Sequence, residues 1–593
     1  MEEVVQELFE QGVLLRDNAG GVSWSGTLMT QVQLPTTVQG VLAARIDRLA
    51  TDEKALLQHL AVIGREFAFG LARQVVDHPE ARLHQLLDAL QRKEFLYEQP
   101  AFPEVQYVFK HALTQDVAYQ SLLQETRKGI HERTAQAIER TYRQELEDHY
   151  SDLAHHYSRS DNFDKAVEYL ELAGVQAANR AAIADAVTAL SRALECLAQT
   201  PETEAREPTE LRLQLTLLGP LHMSQGMTSE GIVRLCTRAR ELCTRVGTPM
   251  DLVRVFGELR IYYSVRGDCR TALEYSNELL ALSVRVPDRN IEMHAHAALT
   301  ISHFYLGNLD QVPVHARRVR ELDDPAHDRT QTHTDGYDPL GLAVGYEAQT
   351  QWLLGFSEQA SAGVRENMDL AALISHPFID GYARIISAML CVMRREVQQC
   401  QREAAAIIAL AEEHGFPDWL GWAMVLQGWA LEIQGDQHGL MQIEHGITAF
   451  QSAKAEVGLP FFHILQAEAL LQRGSPAAAR MAIEEDLEMA ARNHEQVYEA
   501  ELNRVLGDID LRENGGTDDA VRIAEAHYHT ARTIARAQGA KAWELRAATS
   551  LAKLWIPQDR KAEADALLSP IYASFTEGFE KPDLQEAQAL LAR

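Results

Sequence analysis

The sequence predicts a mainly α protein in which a small winged-helix domain precedes a long, right-handed solenoid of helical hairpins. Three observations predict it: a turn signal that recurs about every 40 residues, apolar residues at helical spacing on both sides of those turns, and strand-like segments confined to the first 110 residues. The turn signals fall at Gly226, Gly267, Gly307, Gly355, Arg395, Gly435, Gly474, Gly515 and Ile556-Pro557, with gaps of 41, 40, 48, 40, 40, 39, 41 and 41. Five residues after most of them comes a small or compact residue: Gly231, Ala272, Val312, Ala360, Cys400, Leu440, Ala479 and Ala520. A turn followed by a close-packing position at this period marks stacked hairpins, each burying its apolar stripe on its neighbours. Leu252, Val255, Phe256, Leu259, Tyr262 and Tyr263 form one such stripe, and Tyr498, Leu502, Val505, Leu506 and Ile509 another. The 48-residue interval contains Asp323 to Tyr337, a polar stretch with Pro325 and Gly336 that reads as an inserted loop.

Upstream of the array, Val4, Val5, Leu8 and Phe9 share one helical face, and Val13–Leu15 and Val22–Trp24 flank a glycine-containing turn as a β-hairpin. Thr36 or Thr37 caps a helix carrying Val38, Val41, Leu42, Ile46 and Leu49. A second helix starts at Thr51, helical pattern resumes over 70–76 and 81–91, and Phe95–Glu98 with Val105–Phe109 make a two-stranded wing. Three segments result: 1–33, 34–145 as the winged-helix domain, and 146–593 as the repeat superhelix.

Composition narrows the function. Of 593 residues, 46% are hydrophobic and 24% charged, as in folded globular chains, and 85 acidic against 56 basic side chains give a net charge of −29. That field repels a phosphate backbone, and no Lys/Arg run offsets it, so no nucleic-acid partner is expected. Cys196, Cys236, Cys243, Cys269, Cys391 and Cys400 lie in apolar helical contexts without CxxC spacing, as expected of buried free thiols in a reducing cytoplasm. No apolar stretch is long enough to span a bilayer, and Glu2 and Glu3 stand where a signal peptide would be basic.

Two long phrases, LPTTVQGVLAARIDRLATDEKALLQHLAVIGREF (34–67) and EFLYEQPAFPEVQYVFKHALTQDVAYQSLL (94–123), resemble bacterial STAND-type regulatory ATPases. The group they are similar to joins a class III adenylate/guanylate cyclase domain, an AAA-like ATPase, a winged helix and tetratricopeptide (TPR)-like repeats. AKAWELRAATSLAKLW (540–555) and FTEGFEKPDLQEAQALL (575–591) resemble its closing repeats, and Asp161–Val167 and Gly267–Leu273 resemble the TPR turn. The resemblance implies that 1–33 is the remnant of an ATPase lid. It also implies that His111, in Phe109-Lys110-His111-Ala112-Leu113, senses ADP bound to an upstream module; the alternative is that His111 caps or packs the helix after the wing.

No G-x-x-x-x-G-K-[ST] loop, G-x-S-x-G elbow or H-E-x-x-H motif occurs, so no catalysis, and no cofactor of its own, is expected of this chain; ATP or ADP belongs to the module upstream. The chain then reads as a fragment or as a naturally truncated regulatory half. Its expected role is that of a cytoplasmic sensor and interaction region, with a protein, peptide or small effector in the solenoid groove. The alternatives are a stand-alone TPR scaffold and a winged-helix transcription regulator. Tyr262, Tyr263, Tyr305, Trp352, Trp419 and Trp422 are candidates for groove or core. His294, His296, His303, His315, His327 and His333 cluster in sequence, but no cysteine or carboxylate completes a metal set, so no metal is expected.

Overall fold

A computed structural model describes residues 14–16, 22–24, 37–101, 104–324 and 337–592. The helix expected over residues 2–10 and most of the loop expected between Asp323 and Tyr337 lie outside them. Two compact units are present, one of residues 1–173 and 191–201, the other of residues 174–190 and 202–593.

In the first unit, strands β1 (Leu14–Arg16) and β2 (Val22–Trp24) pair antiparallel as the hairpin expected. Helix α1 (Val38–Asp47) is capped by Thr37, whose hydroxyl accepts the Gly40 N–H at 3.1 Å. Helix α2 (Thr51–Ile63) starts one residue earlier than a Thr51 cap requires: Ala50 is the N-cap, and Glu53 takes its N–H at 3.1 Å. Strand β3 (Glu66–Ala68) follows, then α3 (Phe69–Val75), α4 (Glu80–Arg92), β4 (Leu96–Gln99) and β5 (Gln106–Phe109). The wing pairs Leu96 with Phe109, and β3 adds to the far edge of β5, Phe67 against Tyr107, giving the order β3-β5-β4. Strand β3 was not legible in the sequence; at three residues it carries no periodicity, and its pairing with β5 fixes it. Helices α5 (Ala112–Gln120), α6 (Gln124–Thr141) and α7 (Tyr150–Tyr157) complete the unit, followed by α8 (Phe163–Asn179) and α9 (Ile183–Leu197).

The second unit is a TPR-like α-solenoid. Its first helices of each hairpin are α10 (Glu207–Gln225), α12 (Pro249–Val265), α14 (Arg289–Tyr305), α16 (Pro339–Leu353), α18 (Pro377–Met393), α20 (Pro417–Ile433), α22 (Leu459–Gln472), α24 (Glu499–Glu513) and α26 (Lys541–Trp555). Their partners are α11 (Glu230–Val246), α13 (Cys269–Arg285), α15 (Val312–Leu322), α17 (Ser357–Ile374), α19 (Val397–His414), α21 (Gly439–Ser452), α23 (Pro476–Asn493), α25 (Asp518–Gln538) and α27 (Lys561–Ala573); α28 (Pro582–Leu591) closes the chain. The turn marks from Gly226 to Gly515 all have positive φ, Arg395 among them at 59°. Asp268 caps α13 by accepting the Thr271 N–H at 3.0 Å, and the small positions Ala272, Val312, Ala360, Cys400, Ala479 and Ala520 are buried where two helices touch. Gly231 and Leu440 are only half-buried.

The first helices are buried on nearly every face, not along one stripe. In α12 the buried set includes Glu258, Arg260 and Ile261, all outside the predicted apolar stripe. The reason is a seam between successive superhelical turns. Met227 N donates to Asp418 Oδ2 at 3.0 Å, Glu456 N to Val265 O at 2.8 Å and Gln496 N to Tyr305 O at 2.8 Å, while Trp352 meets Trp543 edge-on at 5.0 Å. Each pair is 191 residues apart, and each joins the end of one first helix, or the turn just past it, to the start of the first helix five hairpins later or the turn just before it. A second set of contacts repeats the link: Arg546 Nη2 to Met393 O at 2.7 Å and Lys581 to Glu396 at 3.0 Å. The concave wall expected as an open groove is therefore partly an interior.

A candidate ligand cavity on the solenoid axis

Where α10, α12, α14, α16, α18 and α20 converge, the interior leaves about 1100 Å³ of empty space, counted out to its mouth. Its wall is apolar and aromatic, built by Ile301, Tyr305, Tyr346, Phe378, Tyr382, Ile386, Met389, Trp419, Trp422 and Phe450. The side chains come from helices more than 200 residues apart in sequence, because the seam that binds Met227 to Asp418 and Val265 to Val457 runs along the cavity. Rings brace one another: Phe378 lies 4.6 Å from Trp419 and 5.1 Å from Phe416, and Trp422 lies 4.5 Å from Phe462, centroid to centroid. Gly381 permits the approach of Trp419, since a Cβ there would sit 3.0 Å from the indole.

The polar groups are few. His222 Nδ1 lies 3.1 Å from Glu258 Oε2, both side chains buried. Burial alone would push the His222 imidazole down, but the Glu258 carboxylate and, beyond it, Asp418 hold it above its ordinary value. Burial raises the Asp418 carboxyl against the pull of His222 and of the Met227 N–H. Asp338 caps α16, accepting the Gly341 N–H at 2.7 Å. Tyr346 and Tyr382 are pushed up by burial, so both are neutral phenols able to donate. Gln349 Oε1, Asn367 Nδ2 and Trp419 Nε1 are buried without a hydrogen-bond partner. Arg260 is 6% exposed and makes no hydrogen bond or ion pair with any described residue. Burial pushes its guanidinium down, with Tyr346, Tyr337 and Glu258 opposing.

Of the six aromatic candidates, Tyr305, Trp419 and Trp422 line the cavity. Trp352 is core, packed on Trp543 with Arg546 over its ring at 5.2 Å, and Tyr262 and Tyr263 are half-buried against each other. Arg260 was missed because it flanks the predicted apolar stripe, where an arginine reads as a charge reaching solvent. Nothing local in the sequence marks it as buried.

His111 is half-buried at the N-cap of α5, directly after β5, and its side chain makes no capping bond. Of the clustered histidines, His296 and His315 approach to 2.8 Å through their Nδ1 atoms and His303 stacks on His315 at 5.3 Å, whereas His294 faces the Tyr337 ring. His327 and His333 lie outside the described residues. A different trio, His131, His155 and His156, brings its ligand atoms within 4.8 Å of one another. Tyr119 OH lies 2.9 Å from His131 Nε2, and His131 Nδ1 lies 2.9 Å from His156 Nδ1. Arg127 and Arg159 add positive charge beside the trio, which opposes a cation there. All six cysteines are buried and free, and among the described residues no helix is long and apolar enough to cross a membrane.

No protein-family model matches the chain. It is 24% identical over 523 residues, 87% of its length, to an uncharacterised protein of Rhizobium meliloti, and it spans about half (50%) of that curated relative. Among solved structures, it is similar to a STAND protein with a tetratricopeptide repeat sensor from Pyrococcus horikoshii (12% identity, 81% of this chain and 68% of that one, TM-score 0.41). It is also similar to a Rap protein complexed with competence and sporulation factor (11%, 63% and 98%, TM-score 0.44) and to the APC/C Cut9–Hcn1 hetero-tetramer (10%, 92% and 97%, TM-score 0.42).

Proposed function

We propose that this chain is the non-catalytic sensor and protein-interaction region of a STAND-type signalling ATPase, cyclase-linked and cytoplasmic, and that its effector binds in the axial cavity. The observation that carries the reading is the position of the cavity on the seam. A ligand touching Trp419 and Phe450 on one side and Tyr305 and Val265 on the other bridges two superhelical turns. It can therefore favour one pitch of the solenoid over another, and a ligand shifts an equilibrium only through such differential contact. The residue phrases of 34–67 and 94–123 support the ATPase connection, and since no P-loop motif occurs in the sequence, nucleotide turnover in this reading belongs to a separate module.

In this reading His111, at the start of α5, reports on ADP held by that module. The experiment joins the chain to a STAND-type nucleotide-binding module and measures ADP release and ATP turnover. Effector is expected to speed ADP release, and His111→Ala to weaken ADP retention roughly tenfold, the loss of a charge-assisted hydrogen bond. A module that neither associates with this chain nor changes turnover when joined to it removes the proposal.

A further inference from the structure

We infer that the axial cavity takes a small organic anion, an aromatic or aliphatic carboxylate or its sulfonate equivalent, whose head docks on Arg260. The inference rests on the cavity being the effector site and adds the chemistry of the effector. It starts from how this chain treats its other buried arginines. Arg504 pairs with Glu468 at 3.0 Å, Glu501 at 2.9 Å and Asp508 at 2.5 Å. Arg546 pairs with Glu501 at 3.1 Å and Asp583 at 2.8 Å, and also donates to Met393 O. Arg45 donates to Lys93 O at 3.2 Å. Arg260, as buried as these, has none.

The carboxylates nearby are already engaged: Glu258 by His222, Asp418 by the Met227 N–H and Asp338 by the Gly341 N–H. A lone guanidinium in an apolar wall is costly unless an anion neutralises it, and its fork of donors suits a carboxylate or sulfonate. The neutral phenols of Tyr346 and Tyr382 stand beside it as further donors. The rest of the wall, Phe378, Ile386, Met389 and Trp419, offers an apolar body its complement. A peptide fits less well, because every residue brings a backbone donor and acceptor, and besides the guanidinium few lining groups, Gln349 Oε1, Asn367 Nδ2, Trp419 Nε1 and Tyr382 OH, are unpartnered to meet them.

The test uses two fluorescent probes on the full chain, 8-anilinonaphthalene-1-sulfonate and the uncharged N-phenyl-1-naphthylamine. Both are expected to bind. Arg260→Gln is expected to weaken the sulfonate about tenfold or more and to leave the neutral probe within about twofold, with Arg260→Lys between. Should R260Q fold poorly, competition on the unaltered chain decides: octanoate is expected to displace the sulfonate at about tenfold lower concentration than octanol. Equal loss of both probes in folded R260Q, no loss of either, or octanol matching octanoate overturns the anion assignment while leaving the cavity as a ligand site. A capped apolar hexapeptide amide that displaces the neutral probe more tightly than octanoate overturns it in favour of a peptide. If neither probe binds, or if filling the wall with Ile386→Trp in a folded variant changes neither, the cavity reading itself fails.

Discussion

At the scale of single residues, buried histidines give the first unit a pH response whose sign follows from geometry. Burial, reinforced by His155, Arg159 and Arg127, pushes His131 down to about 3, and burial with His131 and His155 beside it pushes His156 down as well. One tautomer satisfies the chain: Tyr119 donates to His131 Nε2, and His131 Nδ1–H donates to His156 Nδ1. The folded state therefore holds both rings neutral, while the unfolded chain protonates them below pH ~6.5. Stability contributed by the pair is fully present above that pH and lost as pH falls toward 3, at about 1.4 kcal/mol per pH unit for each proton taken up. Urea unfolding of H131Q between pH 7 and 4 is expected to show a slope smaller by about one proton than that of the unaltered protein. An unchanged slope would mean that His131 is protonated in the fold. Neither the relay nor lone Arg260 was legible in the sequence, since each depends on partners, or on their absence, across separate helices.

At the scale of elements, the turn signals and caps were legible because they are local: a left-handed glycine, an Asp268 cap and a small residue five positions on all lie within one chain reversal. What each turn faces was not. A Cβ on Gly267 would meet Asn493 Nδ2 at 2.3 Å, whereas at Gly435 nothing lies within 4 Å, although both have φ near 80°. Both G267A and G435A incur the backbone cost of about 1–2 kcal/mol. Only G267A adds a clash across the seam. Chemical denaturation is expected to find G267A the less stable by a further ~1 kcal/mol or more, and equal stabilities would deny that the turn at 267 packs on the next superhelical turn. Helical periodicity found the helices but misjudged the first helices of each hairpin. With Arg260 and Glu258 buried on the flanks of the Phe256/Leu259 stripe and Ile261 buried opposite it, α12 has little solvent face to read.

At the scale of the whole solenoid, the seam makes distant hairpins one cooperative structure where an open array would be a chain of nearest-neighbour contacts. Trp543→Ala removes a buried ring from Trp352 and from under Arg546, a change of about 3–5 kcal/mol. Hydrogen exchange is expected to rise around Trp352 as strongly as around Trp543, although 191 residues separate them; protection lost only near 543 would refute the coupling. An effector bound in the cavity is expected to do the reverse, slowing exchange at Val265 and at Val457 together.

The constant 191-residue spacing across the seam also bears on how such a chain can change its length. An open array tolerates the duplication or loss of one unit by recombination, because each unit asks only for a neighbour. Here an extra unit inserted between Gly267 and Asp418 would leave Met227 and Val265 opposite the wrong residues, and the wall around Arg260 would no longer assemble. Units can be gained at the end of the array, but those within the first superhelical turn are fixed in number.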